Sequence, residues 1–144
     1  MPLDLLFRIA SGIALAGWVA LAFAPVRRPF AVFLARFLAA LLCGGYFAVL
    51  VHALSHGPAP SLAAFNSLDG IIGLLHTREA SLAGWVHYLA FDLFTGAWEA
   101  ETAPSSRVPH ALLLVCLFLT FMTGPVGLLM YLVLRALNGR RSRR

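Results

Sequence analysis

The sequence predicts an all-α fold: a polytopic membrane protein built as a bundle of four transmembrane helices, with a short interfacial amphipathic helix between helices two and three. The first reason is composition, because 60% of the 144 residues are hydrophobic and only 12% are charged. A soluble domain has about 25% charged residues, so this chain lacks the polar side chains to cover itself in water. The second reason is a series of four long apolar segments, and the length suits one membrane domain over residues 1–144.

The apolar segments predict the spans and a basic tail. They lie at residues 3–24, 30–54, 81–98 and 109–134, and the tail occupies residues 135–144. Crossing a bilayer core as a helix takes about 20 mainly apolar residues, which the segments supply or approach. We expect the first segment to be retained and not cleaved as a signal peptide, because it is long and carries Asp4 where a signal peptide carries basic residues.

Prolines mark the breaks between these segments and one irregularity within them. A short, arginine-containing stretch between Pro25 and Pro29 predicts a tight loop after the first span. Pro109 suits the first position of the fourth helix, where a missing backbone donor costs nothing. Pro125 lies well inside the fourth segment, so we expect a kink there in an otherwise continuous helix.

The stretch between the second and third spans contains a shorter helical pattern. Its apolar residues recur at i, i+3, i+4 and i+7, which places them on one helical face: Leu68, Ile71, Ile72 and Leu75. Asn66 or Ser67 is suited to cap such a helix. The stretch is too short to cross a bilayer, so we expect it to lie in the interface or against the mouth of the bundle.

The distribution of charge predicts an orientation in the membrane. All basic residues are arginines, and five of the eleven lie in the tail: Arg135, Arg140, Arg141, Arg143 and Arg144. A basic cluster directly after an apolar segment is typical of a tail at an anionic membrane surface, so we expect a lipid bilayer and no nucleic acid as partner. Four spans place both termini on one side, and the positive-inside rule makes that side cytoplasmic. Three arginines on the opposite side of the membrane weaken this assignment, namely Arg27, Arg28 and Arg107. The amino-acid composition, without lysine and rich in alanine, indicates a bacterial protein, so we expect it to lie in a bacterial inner membrane.

Polar residues inside the third span are the main chemical signal. Inserting Asp near a helix centre costs roughly 2.5–3.5 kcal/mol, so we expect Asp92 to face protein or water and to have a partner. Tyr88 shares its helical face and is able to donate to it, whereas His87 lies about 140° around the helix. Arg36 on helix two is the expected counter-charge. Two interpretations remain open: an acid–base or ligand-orienting site, and a structural ion pair that holds helices together.

Neither a metal site nor a cofactor is predicted. His52 and His56 are spaced i, i+4 and offer two ligands on one helix face, but a metal needs at least one more. The two cysteines, Cys43 and Cys116, lie in apolar segments and form no metal-binding spacing. The oligomeric state is not indicated by any pattern in the chain.

Three motifs resemble the neoxanthin-synthase-like family, which plants represent by the abscisic-acid-deficient-four protein. They are Leu68-x-Gly-Ile71, Trp85-Val-His87-Tyr-Leu-x-x-Asp92-Leu-Phe94 and Gly124-Pro-Val-Gly-Leu128, and the likeness runs from about residue 68 to the end of the fourth segment. The plant member is a chloroplast membrane protein needed to convert the epoxidised carotenoid violaxanthin into the allenic neoxanthin. The resemblance therefore implies an isomerase acting on a carotenoid or related isoprenoid.

Under this resemblance, His87 and Asp92 are the expected catalytic residues, because epoxide opening needs an acid at the oxygen and a base at a neighbouring carbon. Arg36, Trp85 and Tyr88 are expected to contact the apolar ligand. The alternative is a non-catalytic membrane protein that binds pigment or lipid or assists a partner enzyme. A small transporter ranks third, because the fourth segment offers almost no polar side chains for a transmembrane route.

Overall fold

The computed structural model describes residues 2–56 and 62–141, and in these two ranges every regular element is helical. In chain order the elements are α1 (Leu3–Ala22), α2 (Arg28–His56), a 3₁₀ turn (Leu62–Asn66), α3 (Leu68–Leu74), α4 (Arg78–Thr102), α5 (His110–Thr123) and α6 (Pro125–Arg141). The all-α prediction is confirmed. The first two predicted spans correspond to α1 and α2, and the third lies within the longer α4.

Two of these helices are long and apolar enough to cross a membrane, namely Leu3–Ala22 and Arg28–Ser55. The predicted number of four such helices is not reproduced. Helix α4 has 25 residues, but charged side chains occupy both of its ends. The apolar residues of the fourth predicted span are divided between two shorter helices, His110–Thr123 and Pro125–Asn138.

Helix α4 lies at the centre of the bundle and packs against α1, α2 and α5. Two glycines permit its closest contacts with α1. A Cβ on Gly17 would lie 2.7 Å from a methyl carbon of Leu93, and a Cβ on Gly96 would lie 2.6 Å from the ring of Trp18. Because neither glycine carries a side chain, the two helices approach closely over about one turn, as small residues allow in membrane bundles. Leu93 is completely buried as a result.

The fourth predicted helix is not continuous, and this expectation is wrong. Helix α5 ends at Thr123, Gly124 adopts a φ of 58°, and α6 begins at Pro125. The two helices form an antiparallel hairpin, because the Tyr131 hydroxyl meets Thr102 Oγ1 at 2.6 Å and Asn138 reaches back to the loop before α5. Proline removes a helical donor and glycine tolerates positive φ, so the chain reverses here instead of kinking.

A second glycine lets the arms of the hairpin close. A Cβ on Gly127 would overlap the backbone nitrogen of Thr120 and would lie 2.6 Å from the carbonyl oxygen of Cys116. The first turn of α6 therefore packs directly on the backbone of α5. Both cross-helix neighbours of Gly127 are buried. The reversal thus depends on the absence of a side chain at one position.

The hairpin places the start of α1 and the end of α6 at opposite ends of the bundle. At one end, Arg78 at the start of α4 pairs with Asp4 at 2.7 Å. At the other end, the Asn138 amide near the end of α6 donates to the Arg107 carbonyl at 3.0 Å. The prediction that both termini share one side is therefore not supported, because α5 and α6 enter and leave the bundle at the same end. That end is called the basic end below, after its exposed arginines Arg27, Arg107 and Arg135.

The predicted short helix is present as α3, and Ser67 is its cap. The Ser67 hydroxyl accepts a hydrogen bond from the Gly70 amide at 3.0 Å, which satisfies one free donor of the first turn. Its predicted apolar face is only partly covered. Ile71 is half-buried, whereas Leu68 has 75% of its surface exposed. Helix α3 thus lies at the end of the bundle opposite the basic end, with apolar side chains facing outward.

Candidate functional site

The carboxyl group of Asp92 lies at the tip of the α5–α6 hairpin. A Cβ on Gly124 would be 2.7 Å from Asp92 Oδ1, so the carboxylate packs directly on the backbone where α6 begins. The N-terminal end of a helix carries a partial positive charge and favours a negative group there. Tyr88, one turn earlier on α4, interacts with the same carboxyl group. Asp92 thus lies against protein at the hairpin tip, with Tyr88 as its neighbour on α4.

One oxygen of this carboxyl group has no hydrogen-bond partner. Asp92 as a residue is half-buried, and its Oδ2 atom is inaccessible and unpaired among the described residues. An unpaired buried polar atom costs about 1–3 kcal/mol. Such a cost is retained in proteins where the group has a use, and a carboxyl oxygen without a partner is free to accept or release a proton.

Glu99 supplies a second carboxyl group on the same side of α4. Its side chain is completely buried, with an exposed fraction of 0%, and its Oε1 accepts a hydrogen bond from the Thr120 hydroxyl at 3.0 Å. Its Oε2 is buried without a partner in the described part of the chain. Glu99 is not among the residues that the sequence assigned to the site. The seven-residue spacing between the two acids is the signal that identifies it.

Arg36 does not neutralise Asp92. Its guanidinium forms a two-point ion pair with Glu101, at 3.0 Å and 2.5 Å, and lies 5.8 Å from the centre of the Phe94 ring. Both charged side chains are partly exposed. The expected counter-charge for Asp92 is therefore wrong, because the register between α2 and α4 brings Arg36 level with Glu101, more than two turns further along α4.

His87 lies away from the Asp92 site and lines an apolar groove. The groove has a volume of about 720 Å³ and is bounded by the end of α2, by α3 and by the start of α4. The His87 ring is 4.6 Å from the Phe91 ring and 5.7 Å from the Tyr46 ring. The remaining polar lining includes Thr77 and Glu79. A cavity of this size falls within the range of small-molecule sites.

Trp85 joins α4 to α1. Its indole nitrogen donates to the Ser11 hydroxyl at 3.2 Å, and its ring lies 5.6 Å from Phe7 and 5.8 Å from Tyr88. An indole of this kind buries an apolar ring and satisfies its single donor. Trp85 is 40% exposed, so part of its ring is available to a ligand next to Tyr88.

The five predicted site residues thus separate into three groups. Trp85 and Tyr88 are on the same side of α4 as Asp92. His87 faces the groove, and Arg36 forms its ion pair with Glu101. His87 and Asp92 do not converge on one cavity. Two further residues that the sequence did not assign to the site come from the hairpin: Thr120, which donates to Glu99, and Gly124, which lies against Asp92.

The described residues offer no obvious metal centre. No group of three or more histidine, cysteine or acidic side chains comes together within residues 2–56 and 62–141. Cys116 is buried near Glu99, and Cys43 is exposed on α2.

Comparison with known proteins identifies one relationship. A family model described as ABA4-like (ABA DEFICIENT 4-like) matches residues 5–131, which covers α1 to the middle of α6. No curated protein and no solved structure matches the chain.

Proposed function

We propose, on the premise that this chain belongs to the ABA DEFICIENT 4-like family, that it is an integral membrane isomerase acting on a carotenoid or a related isoprenoid. The family match extends over all the elements that build the Asp92 site, from α1 through α4 to the hairpin tip. Membership supports a protein similar to neoxanthin synthase, and the reaction assigned to Asp92 below is our inference.

The membrane arrangement that we propose has three crossings and one re-entrant hairpin. Helices α1, α2 and α4 are each 20 residues or longer and reach from one end of the bundle to the other. Helix α5 has 14 residues and extends about 21 Å at about 1.5 Å per residue, which is short of a bilayer core of about 30 Å. The α5–α6 hairpin therefore enters from the basic end and turns within the bilayer. Non-helical backbone at that depth is tolerated where protein covers it, and Gly124, the residue between the two helices, is buried.

The observation that carries this proposal is the Asp92 carboxyl group at the hairpin tip, half-buried in an apolar bundle and without an ion-pair partner among the described residues. A charged or protonated acid at this depth costs several kcal/mol, and intramembrane acids of this kind mark functional sites. Asp92 also lies beside Tyr88, whose hydroxyl is a second proton carrier. The pair is suited to moving a proton at a substrate that itself carries few polar atoms.

The chemistry that fits this pair is an acid–base isomerisation. Opening an epoxide to an allenic alcohol protonates the epoxide oxygen, breaks one C–O bond and removes a proton from a neighbouring carbon, with no net oxidation or reduction. Asp92 is placed to remove or return the proton, and the Tyr88 hydroxyl is placed to hydrogen-bond the oxygen. His87 faces the other side of α4, so we assign it to ligand contact in the groove and not to this proton transfer.

Replacing Asp92 with Asn tests this function. The variant keeps the shape of the side chain but removes the proton acceptor, so we expect normal insertion and a loss of product by a factor of about 100 or more. Asp4→Asn is the matched control, since it makes the same change at an acid that is exposed at the end of the bundle. The assay is pigment and lipid profiling of a deletion strain complemented with each variant, normalised to folded protein. An Asp92→Asn protein that is folded and fully active would refute acid–base catalysis at this site.

A second candidate function is non-catalytic binding of pigment or lipid, and the groove favours it. Its lining is mainly apolar, its volume suits a ring end-group, and it is separate from the acidic site. Gly84→Leu tests this reading, because a Cβ at Gly84 meets Leu75 at an ordinary 3.6 Å and a longer side chain then fills the groove. Loss of co-purified pigment in Gly84→Leu, together with full activity of Asp92→Asn, would identify a binding protein.

A further inference from the structure

The basic end of the bundle gathers positive charge that the sequence distributes over three separate regions. The loop after α1, the loop after α4 and the end of α6 meet there, because the hairpin returns the chain to this end. Five arginines whose side chains the structure describes lie in this half of the bundle: Arg27, Arg28, Arg36, Arg107 and Arg135. The opposite half holds Arg8 and Arg78 together with Asp4, Asp69 and Glu79.

Few of these basic groups are neutralised by the protein. Of the two acids at the basic end, Glu101 is paired with Arg36, and Glu99 is completely buried against α5. Arg27 and Arg107 are exposed, and neither forms an ion pair within the described part of the chain. Their guanidinium groups are thus available to an external anion.

Two of these arginines contact neighbouring helices at the basic end. The Arg28 guanidinium donates to the Ala100 carbonyl at 3.2 Å, which ties the start of α2 to the end of α4. Arg135 lies over the Trp98 ring at 5.5 Å, and cation–π contacts of this kind are typical of residues at a membrane–water interface. The arginines of this end therefore come from three separate regions of the chain and not from a single basic segment.

We infer that the basic end binds the phosphate headgroups of the anionic, cytoplasmic leaflet, and that the N-terminus and α3 lie on the opposite side of the membrane. Guanidinium groups match phosphate oxygens in a two-point geometry, and arginines at membrane ends mark the cytoplasmic face. The inference rests on the membrane placement proposed above and is independent of any catalysis at Asp92. It also reconciles the opposing charge signals in the sequence, because the loop arginines and Arg135 lie at the same end of the bundle once the fourth helix reverses.

Single-cysteine labelling of the full-length protein tests the orientation. Cys43 and Cys116 are first replaced by alanine, and Asn66→Cys, Ser105→Cys and Ser142→Cys are then compared with a membrane-impermeant maleimide. We expect labelling at 105 and 142 only in inside-out vesicles and labelling at 66 in intact cells. Labelling of positions 105 and 142 from opposite sides, or of both from outside, would overturn the inference.

Reconstitution into lipid vesicles tests the headgroup contact with two matched double variants. Arg27→Gln with Arg107→Gln removes two charges at the basic end, and Arg8→Gln with Arg78→Gln removes two at the other. With phosphatidylglycerol vesicles, we expect the first pair to lower the number of co-purified anionic lipids at least two-fold and the second to leave it unchanged. Equal losses in both pairs, or no loss in either, would contradict a specific headgroup surface.

Alkaline extraction separates failure of the membrane placement from failure of this inference. Protein released from membranes at high pH would refute the integral placement itself. Protein that stays in the membrane but shows the reversed labelling pattern would refute only the orientation, and the proposed chemistry at Asp92 would be unaffected.

Discussion

Replacing Gly127 with alanine is the sharpest test of the hairpin. A methyl group at this position would overlap the Thr120 backbone nitrogen and would lie 2.6 Å from the Cys116 carbonyl oxygen. Both atoms belong to the backbone of α5, so no side-chain rotation relieves the overlap. The arms of the hairpin have to separate to accommodate one added carbon.

The expected size of the effect follows from two opposing contributions. Overpacking a tight contact costs about 1–3 kcal/mol, and a contact with rigid backbone lies at the upper end of that range. Alanine is intrinsically favoured over glycine within a helix by roughly 0.5–1 kcal/mol. We therefore expect a net destabilisation of about 2 kcal/mol for Gly127→Ala. Gly44→Ala is the matched control, because nothing lies within 4 Å of a Cβ there, and it is expected to stabilise by roughly 0.5–1 kcal/mol.

Thermal unfolding in detergent, followed by circular dichroism, measures the difference. A change of 1 kcal/mol shifts the Tm of a chain of 150–250 residues by about 2–4 °C, so Gly127→Ala is expected to lower Tm by roughly 4–8 °C. If α5 and α6 formed one continuous helix, position 127 would lie clear of Thr120. Gly127→Ala would then raise Tm, as Gly44→Ala is expected to do. Equal rises in both variants would refute the hairpin.

Three smaller predictions concern single contacts. Tyr131→Phe removes the hydroxyl bound to Thr102, so we expect a loss of about 1 kcal/mol in the free energy of unfolding, measured by denaturant titration in detergent. Arg36→Gln breaks a partly exposed ion pair with Glu101, and we expect the same titration to show a change below about 1 kcal/mol; a larger loss would contradict that reading. Ser67→Ala removes the cap of α3, so we expect the free energy of opening of that helix to fall by about 1 kcal/mol. Faster amide hydrogen exchange confined to α3 would show this.

The sequence alone predicts the helix content, several helix ends and the likeness to a family. Run lengths of apolar residues identify α1 and α2 within a few residues, because a bilayer core demands about 20 such residues in a row. Ser67 marks the start of α3 through the local chemistry of helix capping. The motif around His87 and Asp92 indicates the family that the comparison identifies.

The partners of the charged side chains are not visible in the same way. Spacing along α4 shows that Asp92 and Glu99 share a face, but it contains no information on which helix covers that face. Arg36 pairs with Glu101 because of the register between α2 and α4, which is the outcome of packing along two whole helices. A pattern within one helix does not determine that register.

The sequence by itself determined the local properties of this protein: its helices, its apolar character, its costly acid at position 92 and its family. The tertiary structure alone decided the path of the chain after Thr123. Pro125 signals an interruption, but a kink and a reversal differ only in whether the backbone of α6 is able to pack on α5. That contact joins Gly127 to Thr120 and Cys116 across the turn, and it sets both the neighbours of Asp92 and the end at which the chain finishes.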